Sequence, residues 1–375
     1  MINCFKQSII MDNQHSDTQQ ARAHSTAAAA NHNQNPNARY KKSSRLNWRK
    51  SMRWWGLAVV LFLALQVIMA MYYDQEPEFF NVQANAEQRA GLHQHDMVTG
   101  FVSGATFMQV TDVLLHKPGG YMSNDVMPPF VLMDNIPNWE FGVLVQVRDF
   151  ARVMRNDISR SQSQSEEDED LAAADPKFHN DNDKWIWPQT EGRYKEGQAH
   201  FHDYLTRLAD PTDPGAQFFA RTDNLVTWLT LVEKRLGSLS QKLSASVGQD
   251  RVNTDTGGDE VATTSTYKPS ELRVQTSWLQ IDDNFYEARG ATWALIHFMK
   301  AIEVDFKGVL EKKNALVSLK QIVRELEAAQ DTIWTPMILN GSGFGFFANH
   351  SLVMASYISR ANAGVIDLRQ LLEDG

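Results

Sequence analysis

One cysteine in 375 residues, Cys4, leaves no second thiol for an internal disulfide, so the fold must be held by packing alone. Cysteine-based zinc spacing is absent with it, and His15, His24 and His32 fall too irregularly to form a metal tract. No nucleotide fingerprint follows a recognisable strand, and no nucleophile stands at a recognisable spacing from a base and its orienter. Catalytic residues, metal ligands and cofactors are therefore all read as none. Long uncharged apolar runs are missing as well, with one exception.

That exception is Trp54 to Tyr73, WWGLAVVLFLALQVIMAMYY, and the rest of the chain is organised around it. Twenty such residues in a helix cover roughly 30 Å, the thickness of a bilayer's hydrocarbon layer. Trp54 and Trp55 at one end and Tyr72 and Tyr73 at the other are the residue types that anchor a span at the water boundary. Arg39, Lys41, Lys42, Arg45, Arg49, Lys50 and Arg53 precede it, whereas Asp74, Glu76 and Glu78 follow. Excess Lys and Arg stay on the cytoplasmic side, so the amino terminus is expected there. Ala84-Asn85-Ala86 could suit a signal peptidase, but it lies far beyond a run too long for a signal sequence; an uncleaved anchor is expected. A start at Met11 would remove even Cys4.

Charge divides sharply at this stretch: nine Lys and Arg against two acids before it, 27 against 43 after it. So acidic a remainder disfavours nucleic acid or anionic lipid as the main partner of the large domain, because its summed field repels both. The basic cluster is suited to anionic headgroups, and it is equally a plain topology signal. The expected partners are the lipid bilayer and an envelope protein or a second copy of the chain. Residues 1–53 read as a disordered basic cytoplasmic tail, since Asn, Gln, His, Ser and Ala cannot bury enough surface to offset ordering.

Beyond the span, residues 74–96 read as a juxtamembrane connector and 97–375 as a periplasmic helical domain. A helix from Gly100 to His116 stops at Lys117-Pro118-Gly119-Gly120. A second is expected from Trp139 to Arg160, with Val143, Val147, Phe150, Ala151, Met154 and Ile158 as its apolar stripe. Residues 161–190, opening SQSQSEEDED, and 249–270 read as polar loops. Helices follow at Tyr194–Ala209 and Asp223–Val247, and the latter carries a seam of Leu225, Leu229, Val232, Leu236, Leu239 and Leu243 in steps of four and three. A long helical stretch from Asp282 to Gln330 is apolar on most sides between 290 and 306, Val304 included, which marks the centre of the bundle. A last helix runs from Asn349 to Leu372. The fold class is thus mainly α: one N-terminal transmembrane helix and a large periplasmic helical bundle.

Several blocks carry a resemblance: KPGGYMSND at 117–125, MDNIPNWEFGVLVQVRD at 133–149, RNDISRSQSQS at 155–165, YEARGATWALIHFMKAIEVDF at 286–306 and LEKKNALVSLKQIVRELEAAQ at 310–330. Together they resemble an uncharacterised proteobacterial family of single-span inner-membrane proteins, a domain-of-unknown-function family, DUF2333. The resemblance implies a bacterial envelope location and no assigned chemistry.

Four constellations remain. His93-Gln94-His95-Asp96 and His200-Phe201-His202-Asp203 could share a metal only in a strand, because in a helix the paired His point about 200° apart. Ser265-Thr266-Tyr267-Lys268 has the Ser-x-x-Lys spacing of penicillin-binding enzymes without their other motifs. The run NGSGFGFF, with Gly341, Gly343 and Gly345, suits a tight turn better than a phosphate cradle. Arg148, Arg152 and Arg155 share a helix face that could grip an anion or pair with Glu287, Glu303 or Asp305. His297 reads as a satisfied core histidine. The functional expectation is a membrane-anchored structural or interaction protein of the cell envelope. Its rivals are a periplasmic enzyme acting on cell-wall material and a periplasmic anionic-ligand-binding domain.

Overall fold

The structure, a computed structural model, describes residues 45–93, 97–162, 165–253, 271–335, 337–341 and 347–374. It is mainly helical, with eleven α-helices and one short hairpin among the described residues. Contacts divide the chain into the units Met1–Leu57 and Ala58–Gly375. Helix α1, Arg45–Tyr73, contains the apolar stretch and starts ahead of it, so 45–53 of the stretch expected as a disordered tail are helical, while 1–44 lie outside the described residues. Lys50–Tyr73 is long and apolar enough to cross a membrane, and none of it is buried.

The bundle is built on two helix pairs. In the first, α4 (Asn135–Val153) crosses α8 (Ile281–Asp305) so closely that a Cβ on Gly142 would overlap the Glu287 carbonyl oxygen, and one on Gly290 that of Trp139. Glycine is required at both because any side chain would force the backbones apart. In the second, α7 (Thr222–Ser244) lies along α11 (His350–Asp374), and all six residues of the α7 seam are buried. On α11 the stripe Ile358, Ala361, Val365 and Leu368 is buried as well, so with the two helices packed along one another the seam is used within the chain.

Helix α8 is the centre that its composition predicts. Ala291, Trp293, Leu295, Ile296, Phe298, Met299 and Ile302 are all buried among α4, α3 (Phe101–His116) and α10 (Leu316–Ala328). Val304, expected inside, is exposed where the helix nears its end. The predicted stretch to Gln330 breaks twice. Phe306 ends α8, α9 (Lys307–Lys312) follows, and Asn314 turns with a positive φ of 53° before α10. The second helix begins at Asn135, earlier than expected, because Pro137 falls in the first turn, where a missing N–H costs nothing. It ends in a π-helical turn, Met154–Ile158.

Two stretches read as irregular contain helices. Within the connector, α2 (Val82–His93) buries Val82, Ala86 and Ala90 and packs against α3. Within the first polar loop, α5 (Glu169–Phe178) packs on α6 (Thr190–Ala209). The acidic run supplies its start: Asp168 Oδ1 accepts the N–H groups of Asp170 and Leu171, and the acids at 168–170 suit the positive end of a helix. Leu171, Ala174 and Phe178 then bury one face. The second polar loop opens with β1 (Gln249–Val252), which pairs antiparallel with β2 (Glu271–Val274) just beyond it, Gln249 opposite Val274; 254–270 lie outside the described residues.

Candidate functional site

Residues 74–81 follow α1 without helix or strand, yet they are fastened to the bundle at successive points. Tyr73 packs its ring 5.2 Å from that of Phe130, and Asp74 accepts a 3.0 Å hydrogen bond from the Asn135 amide. Burial is the main cause of a raised Asp74 pKa. Two residues on, the Glu76 carboxylate grips the Arg289 guanidinium two-handed, Nε and Nη2 lying 2.6 Å from Oε1 and Oε2 respectively. Arg289 also donates Nη1 to the Asp331 carbonyl at 3.1 Å and Nη2 to that of Gln330 at 3.3 Å. One buried side chain thus joins the connector, α8 and the end of α10. Tyr286 stands beside it with its pKa raised to about 12, through burial and then the charges of Glu76 and Asp74.

His297 makes the last fastening. Its Nε2 accepts the Phe80 N–H at 3.2 Å, so Nδ1 carries the proton and donates to the Trp293 carbonyl at 2.8 Å. The Phe80 ring stacks on the imidazole at 4.0 Å and 13°. Burial lowers the His297 pKa to about 4, which keeps the ring neutral as that geometry demands. Both nitrogens are engaged by backbone, so the ring positions the connector and is not poised as a base. The reading of His297 as a satisfied core residue fits this geometry.

A second polar knot closes the KPGGYMSND loop. Lys117 and Glu140, both buried, form an ion pair, and Lys117 also donates to the Gly120 carbonyl. Glu140 accepts the Met122 and Ser123 N–H groups at 2.8 Å each, and the Ser123 hydroxyl. Burial raises the Glu140 pKa; Lys117 and these donors oppose the shift. Every partner of the carboxylate belongs to the loop, so the knot fixes the loop on α4.

The arginine face is divided among different partners, none of them Glu287, Glu303 or Asp305. Arg148 donates to the Phe178 and Asn180 carbonyls at 2.7 and 2.8 Å, and Arg152 meets His179 Nε2 at 2.7 Å. Among the described residues Arg155 alone of the three meets carboxylates, those of Glu167 and Asp175. The expected acids lie elsewhere: Glu287 pairs with Lys242, Glu303 with Lys320, and Asp305 accepts the N–H groups of Gly100 and Ser103.

The second His-x-His-Asp stretch is helical, in α6, which separates its two His. It is His200 and Asp203 that share a face, and their ligand atoms lie within 4.8 Å of each other and of Asp170. Asp170 is already held by Arg207 at 2.6 Å, a cation in the place where a metal would need free donors. In the first stretch His93 ends α2 and residues 94–96 lie outside the described residues, as do Ser265 to Lys268 and residues 342–346 of the glycine-rich run. Asn340 and Gly341 from that run border a hollow of about 560 Å³ with Asp134, Trp278 and Phe347. Trp54, Trp55, Tyr72 and Tyr73 all lie on α1; the first three are exposed, and Tyr73 is half-buried against Phe130.

Sequence reasoning missed Glu76, Arg289, Lys117 and Glu140. For Arg289 there was a signal: a lone cation at the start of an apolar helix that leaves it no water must have a partner brought from elsewhere. Residues 47–375 match a family model described as an uncharacterized protein conserved in bacteria (DUF2333). No curated protein matches the chain, and no solved structure does.

Proposed function

The chain belongs to the bacterial DUF2333 family, and from that premise we propose a membrane-anchored structural or interaction protein of the cell envelope. In this reading α1 spans the inner membrane with the amino terminus in the cytoplasm, and the helical bundle stands in the periplasm. The observation that carries it is the fastened connector. A domain that only needs tethering can hang on a flexible segment. Here Glu76 on Arg289 and Phe80 on His297 spend buried polar contacts on holding residues 74–81 in one course. Such a joint gives the bundle a set pose, which a platform for a partner protein or a second copy requires.

Crosslinking in intact cells, followed by purification of the full chain, tests this. A reproducible partner or self-crosslink is expected, weakened when Glu76→Ala frees the connector. Repeated capture of nothing, or a carboxyl-terminal reporter active only in the cytoplasm, would overturn it. The anionic-ligand reading keeps one supporting observation, that Arg148 and Arg152 meet no carboxylate among the described residues; calorimetry with inorganic phosphate on wild type and Arg152→Ala decides it.

A further inference from the structure

Outside α1 the chain has seven tryptophans. Trp139, Trp228 and Trp293 are buried in the core, whereas Trp185, Trp187, Trp278 and Trp334 are exposed, Trp187 by 88% and Trp334 by 92%. Single exposed apolar residues are ordinary, but four exposed indoles on three separate segments of chain are a costly use of the largest side chain.

Each of these segments is tied to the point where α1 ends. Trp185 and Trp187 follow Asn182 and Lys184, whose carbonyls accept from Tyr121 and Asn124. Those two residues belong to the loop in which a Cβ on Gly119 would lie 3.1 Å from the Tyr73 ring. Trp278 borders a hollow with Asp134, the neighbour of the Asn135 that binds Asp74. Trp334 lies three residues beyond Asp331, whose carbonyl is held by the same Arg289 that grips Glu76. Two further exposed apolar side chains share these places: Phe347 in the hollow with Trp278, and Met127 beside the Phe130 turn that packs on Tyr73.

We propose that this indole-bearing rim seats the bundle in the headgroup layer of the bilayer that α1 crosses, on the side where Tyr73 emerges. The proposal rests on reading α1 as a membrane span. The occupant is phospholipid because every segment of the rim is linked through these contacts to the end of the one helix, among the described residues, long and apolar enough to cross a bilayer, and because indole, apolar with one N–H, suits the boundary between headgroup and acyl chain. Asp134 and Asp282 at the hollow add no positive charge and the bundle as a whole is acidic, so the attraction is apolar: it should weaken as the fraction of anionic lipid rises and should not weaken with added salt.

The test uses the full chain with Cys4→Ser, carrying single cysteines in place of Leu61, Trp187, Trp334 or Val317, each labelled with nitrobenzoxadiazole. Val317 is exposed near the start of α10, the end of that helix away from Arg289. Each is reconstituted in vesicles of phosphatidylethanolamine and phosphatidylglycerol holding nitroxide-labelled lipid, shallow or deep. Expected are loss of emission at Leu61 with deep nitroxide, loss at Trp187 and Trp334 with shallow nitroxide, and no loss at Val317. If Leu61 is quenched but the two tryptophan positions behave like Val317, the rim proposal fails and the anchor stands. Should Leu61 remain unquenched, the anchor reading fails and takes the rim with it.

Discussion

Gly142 on α4 and Gly290 on α8 face one another's helices, each leaving room for a carbonyl oxygen of the other helix. A methyl group at either place meets backbone, which cannot rotate aside. Gly290→Ala should therefore destabilise the bundle by about 1–3 kcal/mol or more, although alanine favours helix at an open position. Urea unfolding of the full chain in detergent, followed by circular dichroism, measures it. An unchanged midpoint would mean that the helices cross farther apart.

Arg289→Ala removes the cation from a largely buried Glu76 and strips the Ala329, Gln330 and Asp331 carbonyls of their donor. A loss of about 3–5 kcal/mol is expected when one partner of a buried pair is deleted. The double variant with Glu76→Ala should be less damaged than the two single losses added together. Proteolysis confined to residues 74–81, faster in Arg289→Ala, would show that the connector is what came loose.

Acid should act through His297. Its pKa falls from 6.5 to about 4 on folding, so the unfolded chain takes up the proton first as pH drops. Its contribution is complete above pH 6.5, shrinks as pH falls toward 4 and does not shrink further below that, a total of about 3 kcal/mol. Unfolding midpoints measured between pH 7 and 4 should fall more steeply for wild type than for His297→Gln, which cannot take up the proton. Parallel slopes would refute the assignment.

Lys117→Met leaves the Glu140 carboxylate buried without its cation, at a cost of about 3–5 kcal/mol. Adding Glu140→Leu should recover only part, because the Met122 and Ser123 N–H groups then lose their acceptor. Hydrogen exchange at those two amides reads the knot directly: fast in Lys117→Met/Glu140→Leu and slow in wild type.

Periodicity made the long elements legible. The α7 seam, the α4 stripe and the enclosed middle of α8 could be seen because each repeats an apolar residue often enough to define a face. Short helices escaped for the opposite reason. The acids of α5 look like a solvated run until Leu171, Ala174 and Phe178 are seen to share one side, and α2 buries little more than alanine. Glu76 with Arg289 lies 213 residues apart in sequence, and no local pattern pairs residues at that distance. The arginine face was visible, but its partners were not, since carbonyls at the end of a neighbouring helix leave no mark in composition.

The pairing of α7 with α11 also sets an order of assembly. The greasy edge of α7 is made more than a hundred residues before its cover, His350–Asp374, so for that interval of synthesis it faces solvent or a chaperone. Such an uncovered edge is aggregation-prone. A premature stop anywhere between them would yield a product destined for degradation, however sound the rest of its helices.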